Sequence, residues 1–136
     1  MKCRNLSIVL SFLILSCATS KQAQDKYRSL AVEKFKENID YVYNESKSFV
    51  LCVSAAKPTA LKPQNSIRFF VYDINNDAIV MEESLTDGSA RWINDRSIEV
   101  RYALGVDSKD PAVPHSGSYL FDVLTKEKIS HKTETQ

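Results

Sequence analysis

The chain has 136 residues with 18 basic and 17 acidic side chains, a formal net charge of +1, and three cysteines. A balance so close to neutral lacks the basic excess or stripe that phosphate contacts demand, which sets nucleic-acid binding aside. The three glycines, at 88, 105 and 117, leave no Gly-rich phosphate loop and no Gly-x-Ser-x-Gly nucleophile elbow.

Lys2 and Arg4 precede an apolar run from Leu6 to Leu15 that is interrupted by Ser7 and Ser11. Two cations ahead of such a run read as an export signal, and the run is shorter than the roughly 20 residues that span a bilayer. The segment Ile14-Leu15-Ser16-Cys17 resembles the lipobox of bacterial lipoproteins, with a branched aliphatic at Ile14 and a small residue at Ser16 before the cysteine. The resemblance implies a signal peptide over residues 1–16, acylation of Cys17 with palmitate-like chains, and a lipid tether over 17–24. Two or three acyl chains, at about 0.8 kcal/mol per buried methylene, exceed what stable anchoring needs. Ala18, and not an acid, follows the cysteine, which in lipoproteins sorted by that rule implies the outer membrane. Leu15 departs from the pattern, where a small residue is usual. That keeps open cleavage by the ordinary signal peptidase near Ala18 and Ser20, and with it a soluble secreted or periplasmic product.

Loss of Lys2 and Arg4 with the signal would turn the net charge into −1 and leave 120 residues. That length suits one domain, residues 25–136, which buries about two-thirds of its unfolded surface. Cys3 leaves with the signal and Cys17 takes lipid, so Cys52 remains without an intramolecular partner. It sits in Phe49-Val50-Leu51-Cys52-Val53, where apolar surroundings raise a thiol's pKa, and it reads as core and not as a nucleophile.

From Asp25 to Asn44, apolar Tyr27, Leu30, Ala31, Phe35, Ile39, Val42 and Tyr43 recur at spacings of three and four, which predicts one amphipathic helix. Asp25 or Ser20 would cap its start and Asn44 would end it. The remainder alternates or runs in short β-branched and aromatic stretches. Strands are predicted at 48–56, 66–74, 78–85, 89–94, 97–104 and 117–124, with a weaker one at 128–133. Asn75-Asn76-Asp77, Asp87-Gly88 and Thr125-Lys126-Glu127 are too short for crossover helices, so neighbouring strands run antiparallel. The reading is an α+β domain in which the helix packs on an antiparallel meander sheet of six or seven strands. The alternative is a small curled β-barrel with a covering helix. Stretches such as Phe70-Val71-Tyr72-Asp73-Ile74 resemble strands of a β-propeller blade, but the chain offers room for little more than one blade and no clear internal repeat. Between Ala90 and Tyr102, register on the apolar face predicts a three-residue loop, Asn94-Asp95-Arg96, with a bulge and with Trp92 in the core.

Chemistry-bearing residues are sparse. His115 with Asp107 and Asp110 falls in the 105–116 loop, but the spacing matches no metal motif. Glu82 and Glu83 are adjacent on a strand and point to opposite faces, so they cannot flank one scissile bond. Glu83, on the side of Ile79, Met81 and Leu85, calls for an arginine partner, unless the strand ends there. Arg68, Arg91 and Arg101 lie on neighbouring strands, with Glu82 and Glu99 as partners on a charged outer face. Tyr41, Tyr43, Tyr72, Tyr102 and Tyr119 offer amphipathic contact area. The lipobox resemblance implies a membrane-anchored protein of the bacterial cell envelope, and these features point to a non-enzymatic module there. It needs no cofactor or metal, and it binds an envelope protein or glycan through a sheet face or the 105–116 loop. An inhibitor or immunity protein acting on an envelope hydrolase or toxin is the alternative, and an envelope hydrolase stands third.

Overall fold

In the computed structural model, which describes residues 18–61, 64–104 and 116–131 with side chains from 26 to 130, one helix precedes eight strands. Helix α1 (Ala18–Phe35) leads into β1 (Ile39–Tyr43), β2 (Phe49–Ala56), β3 (Ser66–Asp73) and β4 (Ala78–Thr86). These four strands pair antiparallel in chain order. A second antiparallel meander follows in β5 (Ser89–Trp92), β6 (Ser97–Ala103), β7 (Ser116–Asp122) and β8 (Glu127–His131). The α+β class and the antiparallel strands are as expected. The single sheet of six or seven strands is not: there are two sheets of four, and among the described residues neither closes into a barrel.

The break between the sheets has a local cause. Only Asp87 and Gly88 separate β4 from β5. Asp87 adopts φ 47° and exchanges hydrogen bonds with Asn65, donating from N to O at 2.8 Å and accepting from N at Oδ1 at 3.0 Å. The carbonyl of Arg101 lies 2.7 Å from where a Cβ on Gly88 would stand. The corner therefore turns the chain away from β4 and onto β6, and no β4–β5 hairpin forms. Each sheet has an apolar face that needs cover, and stacking the two supplies it. Phe49, Leu51, Phe69, Val71 and Met81 of the first sheet meet Ile98, Val100, Tyr119 and Phe121 of the second.

A second apolar layer lies on the far side of the first sheet. There Tyr27, Ala31 and Phe35 of α1, at i, i+4 and i+8, pack on Val50, Cys52, Phe70 and Tyr72. β2 and β3 are thus buried on both faces, which is why Phe49–Val53 and Phe69–Tyr72 read as unbroken apolar runs and not as alternation. Cys52 is fully buried in this layer, and burial pushes its thiol up to about 12.

The helix differs from its expected span at both ends. It begins at Ala18, so residues 18–24, expected as tether, are its first turns. It ends at Phe35, where Lys36 and Asn38 take positive φ of 73° and 55°. Ile39, Tyr41 and Tyr43, expected to extend the helix or its stripe, instead alternate along β1 toward α1, and Val42 faces the other way. A spacing of three and four across Phe35, Ile39 and Val42 also contains a period of two, and tertiary pairing with β2 settles it as strand. Arg68 donates to the carbonyls of Lys34 and Phe35 at 3.3 and 3.4 Å, satisfying the C-terminal end of α1. Asn44, expected as a helix stop, is buried and organises the β1–β2 turn. Its Oδ1 accepts from Phe49 N at 2.9 Å and its Nδ2 donates to the hydroxyls of Ser46 and Ser48 at 3.1 Å.

The two meanders repeat one plan, although the sequence shows no clear repeat and leaves room for little more than one blade-like sheet. In each, an aspartate ends the third strand and its carboxylate accepts two following backbone amides. Asp73 takes those of Asn75 and Asn76, and Asp122 those of Leu124 and Thr125, all between 2.9 and 3.0 Å. The β5–β6 hairpin has the expected odd loop. Ile93 N donates to Ser97 O, Asn94-Asp95-Arg96 lies between them, and Trp92 pairs with Ile98 on the inner face. The expected bulge is missing: the ladder runs without a register shift, because the odd loop alone aligns the apolar faces. A bulge occurs instead between β3 and β4, where Val71 pairs with Met81 and Tyr72 with Ile79.

Candidate functional site

Of the two outer sheet faces, α1 covers that of the first, and among the described residues no element covers that of the second. Register places two rungs side by side on it. One carries Arg91, Glu99, Leu120 and Ile129, and the next Ser89, Arg101, Ser118 and His131. Alternation along β5, β6 and β7 puts Ser89, Arg91, Glu99, Arg101, Ser118 and Leu120 outward because Ala90, Val100 and Tyr119 are drawn into the core.

Glu99 sits between two guanidinium groups. Arg91 Nε donates to its Oε2 at 2.7 Å and Arg101 Nη2 to its Oε1 at 3.1 Å. Arg101 first, and Arg91 second, hold the Glu99 carboxyl below the usual carboxylate range. The carboxylate is 18% exposed while the arginines stand 61% and 58% exposed. Such exposed pairs add little to stability. Their effect is on orientation: the glutamate fixes two planar forks at the surface, each with five N–H donors of which Glu99 takes one. Beside them, half-buried Leu120 and exposed Ile129 add apolar surface. The face is thus built to hold carboxylate or phosphate oxygens next to aliphatic groups.

The other residues singled out in the sequence do not gather here. Arg68 lies on the helix side of the first sheet, with its guanidinium 5.3 Å from the Phe35 ring centroid, and Glu82 pairs with Lys34 at 2.9 Å on that same side. The expected row of Arg68, Arg91 and Arg101 on one face is therefore split, because β3 and β6 belong to different sheets. Tyr41, Tyr43 and Tyr72 gather beneath Tyr27 of α1, each ring centroid 5.8 to 6.3 Å from that of Tyr27, so these rings serve packing and not an open contact surface. Trp92 is half-buried and donates from Nε1 to Val42 O at 2.9 Å, on the face opposite Arg101. Cys17, Asp107, Asp110 and His115 lie outside the described residues. Among the described residues, no three His, Cys, Asp or Glu side chains gather as metal ligands, and no helix is long and apolar enough to cross a membrane.

One constellation was legible only in part. Glu83 faces inward with Met81 and Leu85, as alternation requires, and its cation is Lys128, not an arginine. Tyr119 donates its hydroxyl to Glu83 Oε2, and the Lys128 ammonium bonds Oε1 while lying 4.8 Å from the Tyr119 ring centroid. Burial, then the Glu83 bond, raises the Tyr119 phenol well above its ordinary range. This group seals the seam between β4 and the second sheet. No signal in the sequence links position 83 to 119 and 128.

Comparison of the chain with family models, curated proteins and solved structures returns no match.

Proposed function

We propose that this chain is a non-enzymatic interaction module of the bacterial cell envelope. It is held to its membrane by acylated Cys17 and binds an envelope protein or glycan through the outer face of its second sheet. One observation carries the reading. The fold commits α1 to one sheet face and, among the described residues, places no element over the other, where two arginines are presented by a partly buried glutamate. A charged row beside Leu120 and Ile129 suits a partner surface that mixes carboxylates with apolar groups, where arginine is a preferred anchor. The lipobox-like Ile14-Leu15-Ser16-Cys17 supports the tether, and its next residue, Ala18, supports the outer membrane.

Photo-crosslinking from position 118 or 120 in the producing cell tests the reading. Wild type should give a discrete adduct, and Arg91→Glu with Arg101→Glu should lose it while circular dichroism stays unchanged. An adduct that survives the double substitution would move the binding surface elsewhere.

A further inference from the structure

Four tight turns gather at one end of the sandwich. The β1–β2 turn meets the β5–β6 turn where Asn44 Nδ2 donates to Asp95 O at 2.9 Å and Ser46 N to Asp95 Oδ1 at 2.7 Å. The β5–β6 turn meets the β7–β8 turn through Val123 N to Arg96 O at 2.9 Å and the Arg96–Asp122 pair at 2.7 Å. The β3–β4 turn joins through Ile74 N to Ser48 O at 3.0 Å. Residues 57–61 and 64–65 and the Asp87-Gly88 corner lie at the opposite end.

Turn tips are ordinarily polar, yet this end exposes aliphatic side chains: Ile93 at 47% and Leu124 at 58% in the turns themselves, and Val42 at 45% beside them. Trp92, adjacent to Ile93, is half-buried there with its indole N–H on Val42 O. Lys47 and Lys126 hold positive-φ turn positions at the same end, with Glu45 and Glu127 close to them in sequence, while Asp73, Asp77, Asp95 and Asp122 are engaged by turn amides, a tyrosine or a cation.

Helix α1 leaves the domain at this end. Lys26 bonds Asp77 in the β3–β4 turn, whereas Lys34 bonds Glu82 well down β4. The helix thus enters past the turns, and residues 18–25 precede Lys26 by eight positions, about 12 Å of axis. Cys17 comes directly before. The sandwich is roughly twice as long as that stalk, since its eight-residue strands extend about 27 Å. An anchor on so short a stalk holds the turn end toward the bilayer.

We propose that the turn end is a lipid-contact surface, with Ile93 and Leu124 set into the interface of the bilayer that holds acylated Cys17 and Trp92 at headgroup level. This rests on the reading of Cys17 as the lipid anchor. It leaves the second sheet's outer face standing beside the membrane, open to a partner in the envelope.

Trp92 is the chain's single tryptophan, so it reports on this end alone. The full-length protein, extracted with detergent from the producing cell, is reconstituted into vesicles of phosphatidylethanolamine and phosphatidylglycerol. The vesicles are made with or without lipid bearing a nitroxide at the shallow end of an acyl chain, and the intact mass of the same preparation is measured. The expected result is an acylated mass and a marked loss of Trp92 emission with the nitroxide lipid. The loss should disappear in an acylated Ile93→Asp, Leu124→Asp double variant. A reporter moved to the far end by Trp92→Phe with Leu61→Trp should remain unquenched. An acylated chain whose Trp92 is unquenched overturns the lipid contact and leaves the anchor standing, and equal quenching in the double variant overturns the roles of Ile93 and Leu124. A mass without acyl groups overturns anchor and lipid contact together.

Discussion

Glu83 shows how much one side chain's surroundings can depart from what its neighbours in sequence announce. Adjacent positions on a strand face opposite ways, and Glu82 and Glu83 do so: the first reaches Lys34 on α1, the second Tyr119 and Lys128 between the sheets. Alternation carried that much, but Ile79, which by the same rule shares the face of Met81 and Glu83, packs toward α1, because the bulge at Val80 shifts the register. Glu83→Ala would strand the nearly buried Tyr119 hydroxyl and leave Lys128 unpaired, with an expected loss of about 1 to 3 kcal/mol in urea unfolding. Glu83→Gln, which keeps an acceptor for Tyr119, should lose less.

At the scale of elements, ends and corners decided what periodicity could not. The strands after β1 lie close to their expected spans because β-branched and aromatic runs bounded by Asn, Asp and Gly have few other uses. The apolar stripe sets the helix at Asp25 to Asn44 whereas it spans Ala18–Phe35, since a spacing of three and four does not reveal where φ turns positive, and Lys36 and Asn38 mark that point only in the folded chain. Gly88 is the corresponding device between the sheets. A Cβ there would lie 2.7 Å from the Arg101 carbonyl and 2.9 Å from Leu85 Cβ. Neither of these can swing away as a side-chain tip would. Gly88→Ala should therefore destabilise by about 1 to 3 kcal/mol, read as a lower thermal midpoint by calorimetry.

For the molecule as a whole, acid should loosen the turn end and the outer face together. The amides of Thr125 and Leu124, with Arg96, hold the Asp122 carboxyl low; Lys26 and Tyr72 do so for Asp77, and Arg101 and Arg91 for Glu99. A carboxyl whose pKa is depressed by folding contributes its full stability above the unfolded value and loses it as pH falls through the folded one. The thermal midpoint should hold steady between about pH 5 and 7 and decline below about pH 4. A midpoint unchanged at pH 3 would show that these carboxylates contribute nothing to the fold.

The sequence by itself determined the antiparallel strands, one helix ahead of them, the inward Trp92 and the buried Cys52, because each follows from local period, turn chemistry or an apolar run. Only the tertiary structure decided that the strands divide into two sheets, that Arg68 stands apart from Arg91 and Arg101, and that Glu83 meets Lys128. Those outcomes depend on the corner at Gly88, where a close approach between residues distant in sequence, and not any local preference, sets the direction in which the chain turns.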